Sequence, residues 1–185
     1  MPEATKKTLI KKHLIRPFLN AGTPEVPGWV QIKKATEFTR AMNPTTEERD
    51  YIADERPTTE LTGYKPSEAL SITMYKGEKD FDLMYKMYKE RAIGDDAKME
   101  FLMVYIFDSV EKDGKTYYYA DKCEATVTVD ELNTSGSTLS CTVYENGTPV
   151  SGSVEITDGA PVFTEGPMPE ADPSTGPEED LEEST

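Results

Sequence analysis

Leu70-Ser-Ile-Thr-Met-Tyr-Lys-Gly-Glu-Lys-Asp-Phe-Asp-Leu-Met-Tyr-Lys-Met-Tyr-Lys-Glu-Arg-Ala-Ile-Gly-Asp-Asp-Ala-Lys-Met-Glu-Phe-Leu-Met-Val-Tyr-Ile-Phe107 changes its hydrophobic period twice. Leu70, Ile72 and Met74 alternate with Ser71, Thr73 and Tyr75, which predicts a half-buried strand. Lys76-Gly77 ends that run. Phe81, Met84, Tyr85, Tyr88 and Ala92 then fall within an arc of about 100° on a helical wheel. A helix over residues 80–93 follows, with Asp80 expected to cap its start and Gly94 to close its end. Phe101 to Phe107 is an unbroken apolar run, as in a strand covered on both faces. One helix packed on a sheet is the expected core.

Downstream, the pattern is antiparallel. Asp113-Gly114 is a hairpin signal, and Glu145-Asn-Gly-Thr148 reads as another. Between them Tyr117, Tyr119, Cys123, Ala125, Val127 and Val129 share one parity. At ~3.3 Å per residue this run is longer than a small domain needs, so it either bends near Asp121-Lys122 or projects from the subunit. Leu139, Cys141 and Val143 alternate next, then Val154 and Ile156. Upstream, residues 1–27 hold Pro17, Pro24, Pro27 and Gly22, which break regular structure. They predict an arm, and Leu9, Ile10, Leu14, Ile15, Phe18 and Leu19 give it apolar surface; a loose leader and an arm docked on a neighbouring copy are both open. Trp29-Val-Gln-Ile32 starts a strand. Residues 49–54 and 58–62 are polar and β-prone around Arg56-Pro57, forming an exposed ribbon or a long loop. The expected class is mainly β (α+β): an antiparallel sandwich or barrel over 28–164 with one flanking helix. From residue 165 the composition turns to Pro, Glu, Asp, Ser, Thr and Gly, which predicts a disordered acidic tail over 165–185.

The 185 residues carry a net charge of −15. Lys6, Lys7, Lys11, Lys12 and Arg16 make the N-terminal end basic, whereas no Lys or Arg follows Glu165. A body this acidic repels nucleic acid, which excludes tight DNA or RNA binding as the expected activity. No apolar run approaches the ~20 residues of a membrane helix, and no secretory leader is expected. Cys123 and Cys141 are expected as thiols in a reducing compartment, on opposite faces of their strands.

The residues offer little chemistry. His13 stands alone in the basic arm, so neither a Ser-His-Asp nor a Cys-His set can be assembled around an oriented base. No glycine-rich phosphate loop occurs. The acidic pairs Glu47-Glu48, Asp54-Glu55, Asp80/Asp82 and Asp95-Asp96 fall in turns or at helix ends, where carboxylates solvate and cap. Tyr117-Tyr-Tyr119 is a stacking platform only if its rings are exposed; the alternation instead puts Tyr117 and Tyr119 inward. No catalytic, cofactor-binding or metal-binding residue is assigned, and the expectation is a protein that is not an enzyme. Long strands with unpaired edges and an apolar arm make sense when other copies supply the partners.

In the order of its elements the chain resembles the major tail tube proteins of long-tailed (siphovirus-type) phages of Gram-positive bacteria. The matching parts are Gly28-Trp29-Val30, the polar ribbon from Asn43-Pro-Thr-Thr-Glu47 through Tyr51-Ile-Ala-Asp54, and the strand–helix–strand at Leu70–Phe107. Asn146-Gly-Thr-Pro-Val-Ser-Gly-Ser-Val154 and Thr157-Asp-Gly-Ala-Pro-Val-Phe163 complete them. The resemblance implies a virion protein, made in the bacterial cytoplasm. Six copies would form a ring, and rings would stack into a non-contractile tube around the tape-measure protein, meeting tail-tip and terminator proteins at its ends. DNA would pass through the lumen without specific binding, and no membrane or cofactor is involved. Leu14, Ile15, Phe18, Tyr51 and Ile52 would contact neighbouring subunits. Asp50, Asp54, Glu60 and Glu124 would face an acidic lumen, whose like charge keeps DNA from sticking. A head–tail connector, a capsid-decorating domain and a monomeric carbohydrate-binding β-module are the alternatives; the last requires Tyr118 or Trp29 exposed for stacking.

Overall fold

The computed structural model describes residues 9–52 and 55–172. After a 3-10 turn at Lys12–Leu14 come β1 (Ile15–Asn20), β2 (Trp29–Gln31), β3 (Ala35–Ala41), β4 (Pro44–Arg49), β5 (Thr58–Tyr64) and β6 (Ser67–Thr73). Helix α1 (Lys79–Glu90) and a second 3-10 turn (Gly94–Ala97) lead to β7 (Lys98–Lys112), β8 (Lys115–Asn133), β9 (Thr138–Thr157) and β10 (Ala160–Glu165). Hydrogen-bonded neighbours run β2-β1-β7-β8-β9-β6-β3, with β10 also on β9, while β4 and β5 form a sheet of their own. The fold is therefore mainly antiparallel β with a helix, as the period changes predict. The sheet does not close into a barrel: β2 and β3 end the order.

The chain divides into two compact units. Among the described residues, one comprises 9–17, 102–122 and 150–172; the other comprises 18–52, 55–101 and 123–149. In the first, Leu102, Met103, Val104, Ala120 and Val154 are buried. The ring centroids of Tyr105 and Tyr119 lie 5.6 Å apart, and Lys122 Nζ sits 5.3 Å from the Phe163 ring centroid. Asp113-Gly114 and Asp158-Gly159 both turn with positive φ at the two positions, as tight hairpins require. The segment expected as tail begins inside this unit. Glu165 ends β10, and Asp172 Oδ2 accepts a 2.8 Å hydrogen bond from Asp113 N–H. Residues 173–185 lie outside the described residues.

In the second unit, β6 pairs β3 and β9, aligning Phe38, Leu70 and Cys141 and, one layer on, Ala35, Ile72 and Leu139. Leu70, Ile72, Leu139, Cys141 and Val143 are buried, each aliphatic side chain contributing about 1.5–3 kcal/mol. Helix α1 packs on β2 and β6 through Phe81, Met84 and Met87. Its buried face is rotated from the expected one. Tyr85 and Tyr88 are 36% and 45% exposed and stack in series on Phe81, keeping their hydroxyls in water. Asp80 is not the cap: it is 2% exposed, and its Oδ2 accepts hydrogen bonds from Lys33 and Lys34 N–H, 2.8 Å each. Arg91, left-handed at φ 51, closes the helix ahead of Gly94.

Two other expectations change. Residues 15–20 are not a detached arm; β1 pairs β2, and Phe18 and Leu19 are 1% and 0% exposed. Asn20 fixes the loop that follows, its Oδ1 accepting from both Gly22 and Gly28 N–H at 2.8 Å. At Asn146-Gly147 no hairpin forms. β9 runs straight through, because Asn146 stays extended with Nδ2 on Thr126 Oγ1, and only Gly147 takes a positive φ. The long run in β8 changes parity where a bend is predicted: Ala120 is buried, then Cys123, Ala125 and Val127. Cys123 and Cys141 are consequently both buried, with no disulfide between them. Burial, with the charge of Asp130, pushes the Cys141 thiol up to about 12 and makes it inert.

Candidate assembly surface

The β4–β5 ribbon is built by sequence that has nothing to bury. Pro44-Thr-Thr-Glu-Glu-Arg49 and Thr58-Thr-Glu-Leu-Thr-Gly-Tyr64 are β-prone but polar, so they pair with each other. Every residue of β4 is exposed, as is all of β5 except half-buried Gly63. Arg49 bridges the two strands, 3.2 Å from Glu60 and 3.3 Å from Glu47. At the base, Lys65 N–H donates to Met42 and Asn43 carbonyls, and Asn43 Nδ2 donates to Lys65 O and Ser67 Oγ. The ribbon carries apolar side chains into solvent: Tyr51, Leu61 and Tyr64 are each just over half exposed and Ile52 fully so. A two-stranded hairpin with no covered face is marginal on its own.

The sequence-derived contact residues divide accordingly. Tyr51 and Ile52 stand exposed beyond β4. Leu14, ending the 3-10 turn, and Ile15, opening β1, are half-buried, and Phe18 is buried within its own chain. Among the acidic candidates, Asp50 and Glu60 are exposed on the ribbon, with Glu60 neutralised by Arg49. Glu124 is exposed on β8 and acts electrostatically on Lys98; Asp54 lies outside the described residues. These carboxylates occupy separate elements rather than one cluster. Trp29 and Tyr118 are half-buried, which leaves neither as an open stacking platform.

The sequence did not single out two features. A cleft of about 500 Å³ lies at the end of α1, lined by Met87, Tyr88, Ile93, Val127 and Val129. The apolar residues were visible, but their convergence depends on the helix rotation. The other is a buried ionic cluster beneath the ribbon. Arg40 on β3 lies directly across from Glu68 on β6, Nε to Oε1 3.2 Å, and its Nη2 contacts Glu145 Oε1 on β9. Glu68 is fully buried, and the Glu145 side chain is 2% exposed. Desolvation, then the adjoining Glu145 carboxylate, push Glu68 up to about 8 despite Arg40. The signal in the sequence was a glutamate in phase with Leu70 and Ile72 on the core face.

No protein-family model and no curated protein matches the chain. Solved structures that resemble it include a chain of the anti-feeding prophage tube-terminating cap, at 13% identity and TM-score 0.47 over 78% of this chain and 91% of that one. A chain of the anti-feeding prophage baseplate resembles it at 8% identity and TM-score 0.42, over 79% of this chain and 97% of that one. Likenesses at this level do not establish a shared fold.

Proposed function

We propose that this chain is a structural subunit of a phage-type tail, and specifically the major tube protein, whose copies form hexameric rings that stack around a lumen conducting DNA. The observation that carries the reading is the β4–β5 ribbon, paired only to itself, exposed on both faces, with Leu61 along it and Tyr51 and Ile52 beyond β4. A lone ribbon of this kind gains stability when a neighbouring copy covers it. The open flanks of β2 and β3 add support, since unpaired edges invite strands from other copies. The net charge of −15 suits a conduit that must not hold DNA. Half-buried Trp29 and Tyr118 weigh against the carbohydrate-binding alternative.

The test is negative-stain electron microscopy of the concentrated full-length protein, alone and seeded with tail-tip complexes. Sixfold rings or hollow tubes are expected. A species that stays monomeric under both conditions overturns the reading.

A further inference from the structure

The buried cluster under the ribbon has two carboxylates and one guanidinium. Neither Glu68 oxygen, nor Oε2 of Glu145, makes a hydrogen bond of good geometry to another described group. Two ionised carboxylates cannot donate to each other, and burying an excess negative charge is costly. One proton held on Glu68 removes both problems, leaving a neutral carboxyl beside Glu145 and Arg40. The position matters as much as the charge. Arg40 is the penultimate residue of β3 and Glu68 the second of β6, so the pair spans the two strands from which the ribbon departs. Glu145 brings in β9, and its N–H donates to Pro66 O at the same junction. The charges acting on Glu68 are Arg40 from β3 and Glu145 from β9.

We propose that a proton held on Glu68, buried beside Glu145 and Arg40, fastens the base of the β4–β5 ribbon, and that opening of the base is coupled to its loss. The ribbon is then held most firmly in acid and progressively less firmly as pH rises. The sign follows from linkage. The closed base holds the proton up to about pH 8, whereas an opened, solvated Glu68 releases it near 4.5. Opening is therefore favoured roughly tenfold per pH unit inside that window and levels off above it. That loosening tunes contact between copies only if the ribbon is the assembly surface proposed above; the gating itself is independent of that.

The test is amide hydrogen exchange on the full-length protein, followed in peptides covering 41–67 from pH 5.5 to 9.5 and corrected for intrinsic exchange. In the wild type, opening is expected to rise roughly 50-fold from pH 6 to 8 and about twofold more to pH 9. Glu68→Gln, which cannot ionise, should stay flat and protected. Glu145→Gln removes the adjoining carboxylate but not the desolvation, so its rise should be smaller and level off at a lower pH, which covers the case in which the first variant fails to fold. A flat wild-type profile, or the same rise in a folded variant, overturns the proposal. Sedimentation at pH 6 and pH 9 separates the two claims: a pH-dependent ribbon in a protein that never assembles sinks the tube reading and leaves the gate standing.

Discussion

At the scale of single residues, Glu68 and Gly152 carry the sharpest consequences. Glu68 is an acid whose folded pKa is raised, to about 8. Its contribution to stability is full below its unfolded value near 4.5 and is lost as pH rises through 8. The melting temperature of Glu68→Gln should therefore gain on the wild type steadily between pH 5 and 8, measured by circular dichroism in matched buffers; parallel curves would contradict this. Gly152 faces β10, where an added Cβ would run into Thr164 O and lie 2.6 Å from Phe163 Cζ. Gly152→Ala should cost about 1–3 kcal/mol through displaced backbone and ring, read from urea unfolding. These roles were poorly legible beforehand. Alternation places Glu68 inward, but its partners come from strands nearly 30 and 80 positions away.

At the scale of elements, Asp80 shows why local signals mislead. An aspartate at a helix start reads as a cap, yet here it binds Lys33 and Lys34 N–H, tying the segment after β2 to α1. Asp80→Ala should cost roughly 2–3 kcal/mol, since a buried carboxylate that accepts two backbone hydrogen bonds goes. An exposed cap would lose nearer 1 kcal/mol, so the size of the loss in chemical denaturation discriminates. The strand–helix–strand core was legible because period 2 and period 3.6 are distinct over runs of this length. Asp113-Gly114 was legible as a hairpin because nothing competes with it. Asn146-Gly147 carries the same signal and was overridden by pairing along β9. The β1 strand was obscured by Pro17, which the sheet accommodates within Ile15–Asn20. The ribbon itself predicts a clean separation of effects. Ile52→Ser and Leu61→Ser touch exposed positions and should shift monomer stability by no more than ~0.5 kcal/mol, while weakening self-association.

At the scale of the whole molecule, the β4–β5 ribbon is surface that the chain's own packing leaves uncovered. Residues 49–54 and 58–62 leave an exposed ribbon or a long loop open, because β-prone polar sequence without alternation cannot settle on a core; the structure makes a ribbon whose first strand lies earlier, at Pro44–Arg49. The division into two units was not foreseeable, since β7, β8 and β9 run through both without a linker to announce the change. Assembly by copies through the ribbon is the claim on which the functional reading stands, and it separates from folding. Replacing residues 44–64 with a short Gly-Ser link removes a sheet that pairs only with itself, so the rest should melt as before. The decisive measurement is sedimentation velocity of the wild type and this replacement over the same concentration series. Rings or longer assemblies from the wild type, and a folded monomer throughout from the replacement, are the predicted pair of results. Equal assembly by both, or none by the wild type even when seeded, would contradict a tail-tube role.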